Sequence, residues 1–174
     1  TFYPFQFFYP KPVDYRRRFV RVPLSDGPLC AMEQECVEGK RYEAIAVDYI
    51  PVELHANDKP CKVLIILAGL TGGSQEGYIL DLVHSAREKG FDCFVALGRG
   101  LNEGMGIGSN ATFHGARTSD FVTVCNIIRK CYGSDATIVA AGVSLGGVII
   151  SNAVGRGLTG DSIDGAISIS GTLD

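Results

Sequence analysis

The sequence predicts an α/β fold, a mostly parallel sheet with helices on both faces and antiparallel strands at its N-terminal side. Three observations carry this. Four uninterrupted apolar runs, "KVLIILAG" (62–69), "FDCFVALG" (91–98), "ATIVAAG" (136–142) and "DGAISIS" (164–170), have the length and character of strands buried on both faces. Stretches with helical spacing of apolar residues lie between them. Upstream, "RFVRVPL" and "EAIAVDYIPVEL" are short and β-branched, with Asp26-Gly27-Pro28 and Gly39-Lys40 as breakers between them, the pattern of an antiparallel region.

Taken in order, the chain opens with the aromatic and proline-rich segment "TFYPFQFFYPKP", read as an N-terminal arm over 1–15, and continues as one domain over 16–174. The arm is too short and too interrupted to span a bilayer. Its rings beside Arg16, Arg17 and Arg18 suit either association with a membrane surface or packing on the domain. After residue 60 strand and helix alternate. Helices are expected over about 77–89, around Tyr78, Leu82 and Ala86; over 117–131, around Phe121, Val124, Ile127 and Ile128; and over 146–156. Such alternation gives parallel strands joined by right-handed helical crossovers.

Composition narrows the function classes. With 174 residues, 46% of them hydrophobic, and 22 glycines, the chain can bury a sizeable core and must contain many tight turns. A net charge of −3 with mixed signs leaves no basic face for a phosphate backbone, so no nucleic acid is expected as partner. The cysteines at 30, 36, 61, 93, 125 and 131 never form a CxxC pair, and His55, His84 and His114 stand apart from them. Buried free thiols are therefore expected, with no metal and no cofactor. No signal peptide is legible, which suits a cytoplasmic or membrane-associated protein.

Sites in an open parallel sheet form at the carboxyl ends of the strands. Here those ends meet "AGLTGGSQEG", "GRGLNEGMGIGSN", "GVSLGG" and "SGTLD". A dinucleotide site would need GxGxxG after the first strand, but Gly98, Gly100 and Gly104 have the wrong spacing, and no GxxxxGK[ST] exists. "GVSLGG" instead places Ser144 between Gly142 and Gly146, after an apolar strand and before a helix-compatible segment. That is the setting of a nucleophile elbow, where residues two before and two after the serine must be small. The Leu145 N–H is then the first oxyanion donor. Gly69 lets the loop after "KVLIILA" turn inward, which makes the Leu70 N–H the second. Asp120, in "TSDF", reads as a helix-start carboxylate favoured by the dipole.

The order "LAGLTGGSQEGYI", "GFDCFVALGRG", "TSDF", "AAGVSLGG", "AISISGTLD" resembles the YheT-like branch of the α/β-hydrolases, which includes the abhydrolase domain-containing lipases and fungal ethyl-ester synthases. The resemblance implies a serine esterase or lipase acting on acyl esters such as lipids, with acyl transfer to alcohols as a related activity. It places the nucleophile at Ser144, the oxyanion loop at Gly69 and Leu70, and an "RG" turn at Arg99 and Gly100. Two departures stand out. Family members carry His before the oxyanion-loop glycine, where this chain has Ala68, so a side chain that would brace the loop is missing. Triad order in this fold is Ser, then Asp or Glu, then His, yet every histidine here precedes Ser144. Asp174 is the candidate acid, and His114 the candidate upstream base. The economical expectation is that these residues are the N-terminal part of a larger domain whose histidine lies beyond them. The rival expectation is a non-catalytic binding or regulatory protein on the same scaffold.

Overall fold

The computed structural model describes residues 10–23, 42–52, 61–101 and 114–171. They form a six-stranded mixed sheet, β1 (Arg16–Pro23), β2 (Tyr42–Ile50), β3 (Lys62–Leu67), β4 (Phe91–Ala96), β5 (Thr137–Val143) and β6 (Gly165–Ile169), in spatial order β1-β2-β4-β3-β5-β6. Pairing is antiparallel between β1 and β2 and between β2 and β4, and parallel across β4, β3, β5 and β6. The four apolar runs are thus the four parallel strands, as the sequence predicts. Three α-helices make the crossovers: α1 (Gly77–Glu88), α2 (Ser119–Tyr132) and α3 (Leu145–Gly155), with a 3-10 turn at Gly160–Ser162 before β6.

Strand β3 shows why the runs are apolar throughout. Val63, Ile65 and Leu67 join a core beneath α2 and α3 that includes Phe121, Val124, Ile138, Ile149 and Ile150. Leu64 and Ile66 face the other way, into a core with Ile79, Leu80 and Val83 of α1. Each such side chain contributes about 1.5–3 kcal/mol on burial. Alternate residues feed opposite cores, so no position from Val63 to Leu67 can be polar without loss, while Lys62 at the start of β3 is exposed. Strand β6 contrasts with it: it pairs with β5 alone among the described strands, and Ile167 and Ile169 are 52% and 36% exposed.

Residues 10–15, the described end of the aromatic segment, lie on the α1 side of the sheet. Val13 is buried there, and its backbone is bracketed by Gln75, whose Nε2 donates to Val13 O (2.7 Å) and whose Oε1 accepts from Val13 N–H (3.4 Å). Of the basic run, Arg17 turns onto the buried Asp48, while Arg16 and Arg18 are exposed. No helix among the described residues is long and apolar enough to cross a membrane. Cys93 and Cys125 are buried free thiols, and burial pushes the Cys93 thiol up to about 12. Cys131, in the last turn of α2, departs from the expectation and is exposed.

Asp164 fastens the start of β6. Its carboxylate accepts from Ile138 N–H (2.6 Å) and from Arg129 Nη2 (2.8 Å). The Ile138 amide, with Arg129 adding, holds the carboxyl below the usual range. A group lowered in the folded state contributes stability above its unfolded value, about 3.9, and loses it as pH falls through the folded value. Asp164→Asn removes that contribution. The difference in unfolding midpoint between wild type and Asp164→Asn is therefore expected to be largest near pH 6 and to close below pH 4, as read by urea titration.

Candidate active site

The elbow is built by backbone geometry. Strand β5 ends at Val143, Ser144 takes φ 52° and ψ −118°, and α3 starts at Leu145. That conformation is costly for a residue with a Cβ, by about 1–3 kcal/mol, and it persists only where surrounding packing enforces it. The packing is visible. A Cβ on Gly142 would stand 2.6 Å from Gly147 N, and one on Gly146 would stand 2.6 Å from Ala68 O. Both positions therefore exclude any side chain, and α3 closes directly over the ends of β5 and β3. Ser144 N–H donates to Ile169 O (2.8 Å), which ties the turn to the end of β6. The Ser144 side chain is exposed at the carboxyl end of the sheet.

Thr71, Ser144 and Ser170 are the described non-glycine residues with positive φ, at 59°, 52° and 53°. They follow β3, β5 and β6, so backbone strain collects at the carboxyl edge of the parallel strands. Leu145, as first residue of α3, has no acceptor for its N–H within the helix. The 69–72 segment is a tight turn closed by Gly72 N–H to Gly69 O (3.0 Å), with Leu70 68% exposed at its tip. It lies against the elbow, since a Cβ on Gly69 would meet Ser144 Cβ at 3.4 Å. Gly69, Leu70, Gly142, Ser144, Leu145 and Gly146 thus occupy one end of the sheet.

Braces of this loop are legible only in three dimensions. Gly69 N–H donates to the Tyr78 hydroxyl (3.2 Å). At the far end, Ser74 Oγ donates to Asp48 Oδ2 (2.7 Å), and Arg17 grips the same carboxylate through Nε (2.6 Å) and Nη2 (2.8 Å). Tyr15 OH donates to Ser74 O (3.2 Å). Asp48 inside the apolar run "AIAVDYI" was the available signal, because a buried carboxylate demands partners. Asp120 is more than a helix-start carboxylate. It is buried and takes Arg99 Nε (2.8 Å) and Nη2 (2.5 Å), while Arg99 also donates to Pro23 O. Gly100 follows at φ 77°, turning the chain after β4.

Neither described histidine is joined to the serine by a hydrogen bond. The His84 ring sits on α1 with Nε2 2.7 Å from Lys11 O. His114 is exposed, and although neighbouring Gly115 packs near Leu145 and Val148 and its carbonyl accepts from Asn152 Nδ2 (3.0 Å), no hydrogen bond joins His114 to Ser144 among the described residues. His55 and Asp174 lie outside the described residues. Among those described, no three His, Cys, Asp or Glu side chains group as a metal site would need.

A parallel sheet with antiparallel lead-in strands, a strained serine at the turn from β5 to its helix and glycines on either side define the α/β-hydrolase fold. The esterase Pf2001 of Pyrococcus furiosus superposes with a TM-score of 0.58 at 16% identity, over 98% of this chain and 55% of that one. By sequence, the chain is 37% identical over 103 residues to human phospholipase ABHD3, covering 59% of this chain and 24% of the relative. It is 34% identical over 128 residues to the monoacylglycerol lipase of Saccharomyces cerevisiae, covering 72% of this chain and 28% of the relative. The chain spans less than half the length of these curated relatives. No family model matches it.

Proposed function

We propose that this chain carries the nucleophile of a serine hydrolase of the YheT-like branch, acting on acyl esters such as acylglycerols or phospholipids through an acyl-enzyme on Ser144. The observation that carries the reading is Ser144 itself, an exposed hydroxyl held in strained backbone where the ends of β3, β5 and β6 meet. A serine held at φ 52° is costly to maintain, as strained positions at functional sites are. Relatives named phospholipase and monoacylglycerol lipase support lipid esters as the substrate class.

In this mechanism a histidine base takes the Ser144 proton as Oγ bonds to the ester carbonyl carbon. The carbonyl electron pair moves onto oxygen, where the Leu70 and Leu145 N–H groups hold it. Collapse restores the carbonyl and breaks the bond to the alcohol, which leaves with the proton from the histidine. Water repeats the sequence and releases the carboxylic acid. A second alcohol in place of water yields a new ester, which is acyl transfer. Substrates of this class favour work at a membrane surface, which the exposed Arg16 and Arg18 would face.

The test is fatty-acid release by the full-length protein from monoacylglycerol in mixed micelles, with ethanol added in a parallel series. Release of acid, with ethyl ester rising as ethanol rises, is the expected result. A folded full-length protein that releases no acid from monoacylglycerol, phosphatidylcholine or p-nitrophenyl esters would support a non-catalytic scaffold instead.

A further inference from the structure

The loop that presents Leu70 needs a brace, and Ala68 cannot supply one. Tyr78 is the second residue of α1, and helical side chains lean toward the helix N-terminus, so its phenol reaches back over the preceding loop. Its hydroxyl accepts the Gly69 N–H at 3.2 Å. The same hydroxyl fills the concave side of the 69–72 turn, where a Cβ on Gly72 would stand only 2.6 Å from it. The Cβ position on Gly69 is 3.6 Å from the Tyr78 oxygen and 3.4 Å from Ser144 Cβ, so phenol and nucleophile flank one point of the loop. Thr71, the β-branched residue in this turn, is held at φ 59°. A turn with a β-branched residue at positive φ resists its own geometry, and a fixed partner is needed to hold it.

We propose that Tyr78 is the positioning residue of the oxyanion loop: by occupying the Gly69 N–H it fixes the turn so that the Leu70 N–H, and not that of Gly69, faces the carbonyl attacked by Ser144. The proposal rests on the hydrolase reading above. Gly72 belongs to the same device, being the space the phenol enters. Tyr78 does not touch substrate; it acts through the backbone of residues 69–72. Displacement of a donor by about 1 Å costs up to about 100-fold in rate, and removal of an oxyanion donor about 100- to 1000-fold, so loss of the brace should fall at the lower end of that range.

The experiment uses Tyr78→Phe in the full-length protein, which removes the hydroxyl and keeps the ring. With p-nitrophenyl butyrate, kcat is expected to fall about 10- to 100-fold with KM within threefold. Affinity for a trifluoromethyl ketone, whose serine adduct carries an oxyanion, should weaken in step with kcat, which a merely structural role would not produce. Unchanged kcat in Tyr78→Phe, or a fall in kcat without weaker binding of the ketone, overturns the proposal while leaving the hydrolase reading intact. An inactive wild type overturns the hydrolase reading instead. The brace is then judged by melting temperature in a cycle of Gly72→Ala, Tyr78→Phe and the double variant. Removing the hydroxyl should relieve part of the Gly72→Ala destabilisation, and additive shifts contradict the brace.

Discussion

Ser144→Ala in the full-length protein is expected to lower kcat/KM for ester hydrolysis by about 10⁴- to 10⁶-fold, the scale on which loss of a triad nucleophile acts. The protein should remain folded, because the side chain is exposed and makes no packing contribution that alanine lacks. Strain separates this change from a neighbouring one. Alanine retains a Cβ at φ 52°, whereas Ser144→Gly removes it and should raise stability by about 1 kcal/mol while abolishing activity equally. Initial rates with p-nitrophenyl butyrate and melting temperatures of the two variants check both halves. A glycine variant no more stable than the alanine variant would argue that the elbow is unstrained.

The second large effect is on stability. Arg99 has no exposed side-chain surface and holds Asp120 through two hydrogen bonds, at 2.8 and 2.5 Å. It also reaches Pro23 O, so one guanidinium joins the ends of β1 and β4 to the first turn of α2. Arg99→Ala leaves the Asp120 carboxylate buried without its cation, and breaking such a pair costs about 3–5 kcal/mol. For a domain of this size each kcal/mol lowers the melting temperature by about 2–4 °C, so a fall on the order of 10 °C is expected. Arg99→Ala/Asp120→Asn should recover part of it, because the buried charge is then gone. Calorimetry of the three proteins measures this, and a single variant within 2 °C of wild type would show that the pair is replaceable by water.

The parallel half of the fold was legible because its signal is local. A strand buried on both faces must be apolar along its covered length, and "KVLIIL" and "TIVAAGV" are so after their exposed first residues, Lys62 and Thr137. Helix limits fell within two residues of expectation for the same reason. Gly142 and Gly146 could be read from spacing because their constraint is a collision between the chain and itself. What the sequence concealed was contact across distance. Asp48 with Arg17 and Ser74, and Tyr78 with Gly69, join residues whose nearness depends on the closed sheet, and nothing in their spacing announces it. Tyr78 in particular reads as one more member of a helical apolar stripe, yet it is 39% exposed and points at the loop. Asp120 was half legible: its place at a helix start shows in "TSDF", but its partner lies 21 positions upstream.

The central claim is that Ser144 is a nucleophile, and covalent capture tests it most directly. The full-length protein is treated with a fluorophosphonate, digested, and its peptides weighed. The phosphonyl mass is expected on the peptide containing Ser144, with loss of fluoride and no label on Ser144→Ala. A folded wild-type protein that stays unmodified at Ser144, or that takes the label equally at another serine in the Ser144→Ala variant, would contradict the claim.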